Sequence, residues 1–299
     1  MKILLLGANG QVGHELRRSL APLGDVMAAT RSGVLADGAP AEVADFDHPD
    51  ELAGLVGRIA PEVVVNAAAY TAVDKAEDDA DAAFRVNAEA PGVLARACAA
   101  RGIPFVHYST DYVFDGQGSR PYREDDATAP LGVYGASKLA GEEAVRTAGG
   151  PHLILRTAWV YGARGHNFLR TMLRLAVERD ELRVVADQFG TPTPAHLVAD
   201  TTARLLVSPR SAQGTLNVTA AGGTSWHGFA EAIMAGATER GLLSSAPTVT
   251  PVTTADFPTQ AKRPAFSRLD TARLESVLGG DMPAWQAGLR DVLDRMAPR

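Results

Sequence analysis

The chain has 299 residues, 46% apolar and 21% charged; at about 150 residues per domain this is material for roughly two domains or one large one. Its 29 Lys and Arg against 35 Asp and Glu leave a net charge of −6, which argues against nucleic acid or an anionic membrane surface as the main partner, since both need a clustered positive field. Cys98 is the single cysteine, so neither an intramolecular disulfide nor a Cys-rich metal site is available.

The opening MKILLLGANG holds an apolar run only at residues 3–6. A secretory signal needs about 7–15 apolar residues and a membrane span about 18 or more, so a cytoplasmic protein is expected. Residues 2–6, 26–30, 63–66, 105–109 and 153–156 are short runs rich in Val, Ile and Leu and read as buried strands. Helix-period segments at 11–21, 49–59, 82–100 and 134–147 separate them. The alternation predicts an α/β fold, a doubly wound parallel sheet with helices on both faces. Pro91, inside the 82–100 segment, predicts a kink or a break. Beyond about residue 161 the alternation weakens. Residues 184–185 and 216–218 read as short strands. Residues 244–264, with Pro247, Pro251, Pro258 and Pro264, read as loop and edge strand. The expected division is a sheet domain of residues 1–160 joined by about 181–218, and a smaller, non-contiguous C-terminal lobe of about 161–180 and 219–299.

Gly7, Gly10 and Gly13 follow the first strand in a GxxGxxG pattern and open a helix. Such a turn brings backbone close to a pyrophosphate and points free N–H groups and a positive dipole end at it. Gly7, Asn9, Gly10, Gln11, Val12 and Gly13 are therefore candidate dinucleotide contacts. The second strand ends in Arg31, with no carboxylate to bond ribose hydroxyls. An arginine there suits a 2′-phosphate, which favours NADPH and leaves NADH possible. Asp45 and Phe46 are placed at the adenine edge, and Ala67, Ala68 and Ala69 let backbone lie against ribose and phosphate.

Tyr134 and Lys138 stand at i and i+4, on one face of a helix. A phenol titrates near 10. A lysine ammonium about 6 Å away is worth about 2.8 kcal/mol at an effective dielectric near 20, enough to bring the phenol down by about two pKa units. Tyr134 is then expected as a general acid and Lys138 as its partner. Ser109 and Thr110 end the fourth long strand, where open α/β sheets build their sites, and a hydroxyl there can bond a substrate carbonyl. No histidine shows zinc-ligand spacing; His107 reads as a packed residue.

Together with YxxxK and the strand-end hydroxyl, the glycine pattern resembles the extended short-chain dehydrogenase/reductases, which share the Rossmann fold. Residues 65–77 (VNAAAYTAVDKAE), 109–116 (STDYVFDG), 156–162 (RTAWVYG), 187–193 (DQFGTPT) and 263–270 (RPAFSRLD) resemble the dTDP-4-dehydrorhamnose reductase family within that group, across nearly the whole chain. The resemblance implies NADPH-dependent reduction of the 4-keto group of dTDP-4-dehydro-β-L-rhamnose. It makes Tyr134 the proton donor, Lys138 its tuner and ribose anchor, and Thr110 the catalytic hydroxyl. Asp111 becomes a substrate contact, Trp159 an aromatic against the sugar, and Asn87 the support of a proton relay. Arg263, with Lys262 and Arg268, suits the diphosphate. Some family members bind Mg²⁺ at a dimer contact. Glu15 fits that site, but His196 and Gln286 stand where further carboxylates are expected, so Mg²⁺ is doubtful and a monomer or weak homodimer is expected. Alternatives stay open: another dTDP-4-keto-6-deoxyhexose reductase, a nucleotide-sugar epimerase, or a non-catalytic NADP-binding regulatory subunit.

Overall fold

Seven parallel strands form the central sheet of the computed structural model, which describes residues 1–208 and 213–297. They are β1 (Lys2–Leu6), β2 (Asp25–Thr30), β3 (Glu42–Val43), β4 (Val63–Asn66), β5 (Phe105–Thr110), β6 (His152–Thr157) and β7 (Gly214–Asn217), in the order β7-β6-β5-β4-β1-β2-β3. The chain runs outward from β1 in both directions, so the order reverses between β1 and β4. Ligand crevices of doubly wound sheets open at such a switch, beyond the carboxyl ends of the strands.

Period-two alternation sends the side chains of each strand to two separate cores. Leu4 and Leu6 face a cluster built with Leu52, Val56, Leu94 and Val145. Those residues lie on α2 (Pro49–Ile59), α4 (Ala90–Ala99) and α5 (Val133–Thr147). Ile3 and Leu5 face Leu16, Leu20, Val198 and Leu205, from α1 (Gln11–Leu20) and α7 (Ala195–Leu206).

The expected 82–100 helix is divided. A short helix α3 (Ala80–Phe84) runs into a π-helical turn, Arg85–Glu89, and α4 begins at Ala90 with Pro91 in its first turn. Proline has no N–H to give the preceding turn, and a widened turn accommodates it.

A second lobe has its own core of Tyr161, Leu169, Leu182, Val184, Phe229, Ile233, Trp285 and Leu289. It includes α6 (Phe168–Glu178), α8 (Trp226–Glu239) and α10 (Trp285–Met296), while α9 (Ala272–Leu278) packs back on the sheet domain. The 181–218 segment, expected with the sheet, is split between the two. Strand Glu181–Val185 pairs in parallel with Thr248–Val252, because Leu182 and Val184 alternate inward to the lobe core. Only α7 and β7 pack with the sheet, and residues 209–212 and 298–299 of the expected spans lie outside the described residues. Pro251 sits in that peripheral two-stranded sheet, where a missing N–H is tolerated. No described helix is long and apolar enough to cross a membrane.

Candidate active site

The nucleotide end of the cleft is shaped by the β1–α1 turn. Gly7 has φ +75°, and a Cβ there would come within 2.5 Å of the Ala68 backbone nitrogen. Ala67 and Ala68 thus lie directly against the glycine turn. Gly13 meets the same turn, since a Cβ would stand 2.1 Å from the Gly7 oxygen. Gly10 caps α1 without a side-chain hydrogen bond. The first N–H groups of the helix therefore keep no side-chain acceptor, the arrangement that takes a pyrophosphate.

Several expected cofactor contacts are turned elsewhere. The Asn9 amide braces residues 34–36, donating to the Val34 oxygen at 3.0 Å and accepting from Ala36 N at 2.9 Å. The Gln11 carboxamide faces the second lobe: it accepts from Asn167 Nδ2 at 2.8 Å and donates to the His166 oxygen at 3.3 Å. Val12 packs against the core on the α1 face, and Phe46 is buried in the opposite core. Ala69 is exposed. Arg31 pairs with Asp45 at 3.4 Å and Asp47 at 3.3 Å while remaining 67% exposed. Such exposed pairs are worth about 0–1 kcal/mol, so a phosphate can displace them.

The chemical end lies at the tips of β5 and α5. Thr110 donates to Asp111 Oδ1 at 3.0 Å and accepts from Tyr112 N at 3.2 Å, capping the turn Asp111–Val113. Tyr134 meets Tyr112 edge to face, with centroids 5.6 Å apart. Burial pushes its phenol up to about 12, against a lowering by the Thr110 hydroxyl and with a further rise from the Asp111 charge. Lys138 does not bring the phenol down, contrary to the through-space expectation. Its ammonium is turned to the Tyr108 carbonyl oxygen, 2.6 Å away, and stands 3.5 Å from His107 Nε2. Burial lowers Lys138 to about 8, opposed by Glu142. His107 is buried and kept neutral by that burial and by Lys138, bonded to Asn66 at 3.2 Å. Tyr134 is consequently a protonated donor at neutral pH, beside a titratable ammonium.

Asn87 is saturated by bracing. It accepts from Tyr70 N at 2.9 Å and donates to the Tyr70 oxygen at 3.1 Å and to Ser137 Oγ at 3.0 Å. Ser137 in turn donates to the backbone carbonyl oxygen of Tyr134 at 2.8 Å. The chain joins the loop after β4 to the helix of Tyr134, so Asn87 fixes the relative positions of the two. Below it, Arg156 grips Glu142 twice, at 2.8 and 2.7 Å, and donates to the Glu124 oxygen at 3.0 Å. Burial works against the Glu142 charge, and the Arg156 guanidinium outweighs it.

Trp159, two residues beyond β6, meets an aromatic of the second lobe. Trp159 has φ +47°, a conformation that costs a bulky residue about 1–3 kcal/mol. It stacks on Trp226, with centroids 3.5 Å apart and 5° between planes. Sequence reading missed Trp226; the available signal was Ser225, an N-cap residue directly ahead of an apolar helix pattern. Asp111 is buried with Oδ2 unpartnered, and burial pushes it up to about 6. Arg263, expected on a diphosphate, is held by Asp74 at 2.7 Å. Arg268 is half-buried, and its buried Nε has no hydrogen-bond partner. Glu15 pairs with Arg18 at 3.6 Å and Arg295 at 3.7 Å, and His196 faces Asp291 at 3.8 Å. Among the described residues no group of three or more His, Cys, Asp or Glu is placed to hold a metal.

The RmlD substrate binding domain family matches residues 1–297. The dTDP-4-dehydrorhamnose reductase of Burkholderia thailandensis is 51% identical over 310 residues, covering 99% of this chain and 100% of the relative. The chain belongs to the dTDP-4-dehydrorhamnose reductase family. The Escherichia coli member is 44% identical, covering 99% and 98% of the two chains. Among solved structures, a dTDP-4-dehydrorhamnose reductase from Clostridium acetobutylicum is similar with TM-score 0.88 and 36% identity, covering 99% of each chain. The Bacillus anthracis dTDP-4-dehydrorhamnose reductase in complex with NADP is similar with TM-score 0.88 and 34% identity, covering 99% and 100%.

Proposed function

We propose that the chain reduces the 4-keto group of dTDP-4-dehydro-β-L-rhamnose to give dTDP-L-rhamnose, with NADPH as reductant. The observation that carries this is the grouping of Thr110, Tyr134 and Lys138 at the carboxyl end of β5, beside an uncapped helix N-terminus. Bound NADPH would supply the hydride, and the glycine turn of Gly7, Gly10 and Gly13 together with Arg31 would hold its phosphates. The chain's own groups do the rest. The Thr110 and Tyr134 hydroxyls bond the carbonyl oxygen as negative charge grows on it. Tyr134, a protonated phenol at neutral pH, gives its proton to that oxygen, because an alkoxide is the stronger base. Lys138, held at the Tyr108 carbonyl oxygen, would anchor the cofactor ribose.

In this reading the sheet domain holds the cofactor and the second lobe, which includes strand Glu181–Val185, holds the sugar nucleotide. Arg268, paired with no carboxylate among the described residues, takes the diphosphate, and Trp159 packs on the sugar. We assign the protein to the cytoplasm as a monomer or weak homodimer. The test is NADPH oxidation with dTDP-4-dehydrorhamnose generated in situ, repeated with NADH. Substrate-dependent oxidation yielding dTDP-rhamnose is expected, faster with NADPH. Bound NADPH with no turnover would overturn the reading in favour of a regulatory partner.

A further inference from the structure

Trp159 holds a left-handed backbone, φ +47°, that an indole-bearing residue does not adopt unaided. Two features hold it. Its ring lies on Gly190, where a Cβ would stand 2.4 Å from Cε2, and it stacks in parallel on Trp226. Both supports come from one small structure. Gly190 and Thr224 are cross-strand partners, as are Phe189 and Ser225. Trp226 follows immediately as the first residue of α8, whose N-cap Ser225 accepts from Gly228 N at 3.0 Å. Behind Trp226 stands Phe168, centroids 4.6 Å apart, which stacks on Phe229 in the lobe core. An aromatic series thus runs from the core of the lobe to the one strained residue at the cleft. Strain of this kind persists only where its surroundings over-determine it, and it gathers at ligand clamps.

We propose that Trp226 is a positioning residue that sets sugar affinity by holding Trp159 in its strained orientation. The inference rests on the reading that Trp159 packs on the sugar. Trp226 touches Trp159, Phe168 and Phe229, so its effect passes through the Trp159 ring. Only the pair of Trp159 and Trp226 stacks among the three tryptophans, since Trp285 meets Phe229 at 90°. The stacked pair therefore gives an exciton couplet in circular dichroism, a direct readout of the geometry.

The experiment compares Trp226→Ala, Trp226→Phe, Trp159→Ala and the double alanine variant, using dTDP-4-dehydrorhamnose and NADPH. Trp226→Ala is expected to lose the couplet and raise KM for the sugar nucleotide at least about tenfold, the scale of one lost apolar contact. NADPH affinity should stay unchanged and Trp226→Phe should fall between. The double variant should be no worse in KM than Trp159→Ala, because positioning has no further target. A lost couplet with unchanged KM, or a double variant whose effects add, overturns the proposal. Should Trp226→Ala fail to fold, Trp226→Phe decides: a raised KM supports the proposal and an unchanged one overturns it. An unchanged KM in Trp159→Ala removes the underlying reading as well, whereas a raised KM there with none in the Trp226 variants removes this inference alone.

Discussion

Lys138 Nζ donates to the carbonyl oxygen of Tyr108 at 2.6 Å, which ties the ammonium to the strand that ends in Thr110. Lys138 is lowered by burial to about 8 and Tyr134 is raised by burial to about 12. The Lys138 ammonium loses its proton first as pH rises, so the alkaline limb belongs to lysine and not to tyrosine. The expected profile of kcat falls through a single deprotonation near pH 8. Lys138→Arg, whose side chain stays charged, should lack that limb whatever its absolute rate; persistence of the limb would reassign it.

Tyr134→Phe keeps the ring against Tyr112 and removes the proton. A general acid contributes about 10²–10⁴-fold, so kcat should fall by that order with NADPH affinity intact. Titration of NADPH fluorescence beside turnover separates the two. A variant of wild-type rate would end the assignment.

The two arginines of the lobe should part company. A hydrogen bond to a charged group is worth about 1.5–3 kcal/mol. Arg268→Ala should therefore raise KM for the sugar nucleotide about tenfold or more. Arg263→Ala releases a partly exposed bond to Asp74, worth about 1 kcal/mol or less, and should move KM little. The reverse ranking would return Arg263 to the diphosphate.

Asp111 carries a cost of placement. Its carboxyl is raised by burial from its ordinary value to about 6, so the folded protein binds the proton more readily than the unfolded chain. Its contribution to stability is present at low pH and is lost as pH rises through 6. Asp111→Asn should be more stable than wild type at neutral pH, by at most about 3 kcal/mol, while its turnover falls. Denaturant melts at two pH values test this; a gain of the same size below pH 4 as at pH 7 would refute it.

Glu142→Gln strands Arg156, which is buried to 2% exposure. Breaking a buried pair from one side costs about 3–5 kcal/mol, a loss that urea denaturation measures directly. Removal of the Glu142 charge also lowers Lys138 further, and the alkaline limb should move down with it.

The sequence made the sheet legible where runs such as Val63–Asn66 are buried on both faces and hence continuously apolar. The edge strand Glu42–Val43 was not, because two residues with Val43 exposed carry no pattern. The i and i+4 spacing of Tyr134 and Lys138 was legible, whereas the residues alone left Ser109 and Thr110 open and the family resemblance chose Thr110. What Lys138 bonds to was not legible, since i and i+4 placement fixes the face of a helix and says nothing of a carbonyl on β5. The tie between Arg263 and Asp74 joins residues 189 positions apart, and no local signal marks it. The parallel pairing of Glu181–Val185 with Thr248–Val252 hid for the same reason.

That pairing also orders events in time. Strand Glu181–Val185 is synthesised long before Thr248–Val252, so it leaves the ribosome with no partner to receive its hydrogen bonds. The glycine turn and the helix bearing Tyr134 come from the first half of the chain, while α7, which covers α1, follows later. The lobe must wait for its last strands and for Trp285. In the proposed reading, the pocket for the sugar is therefore completed last.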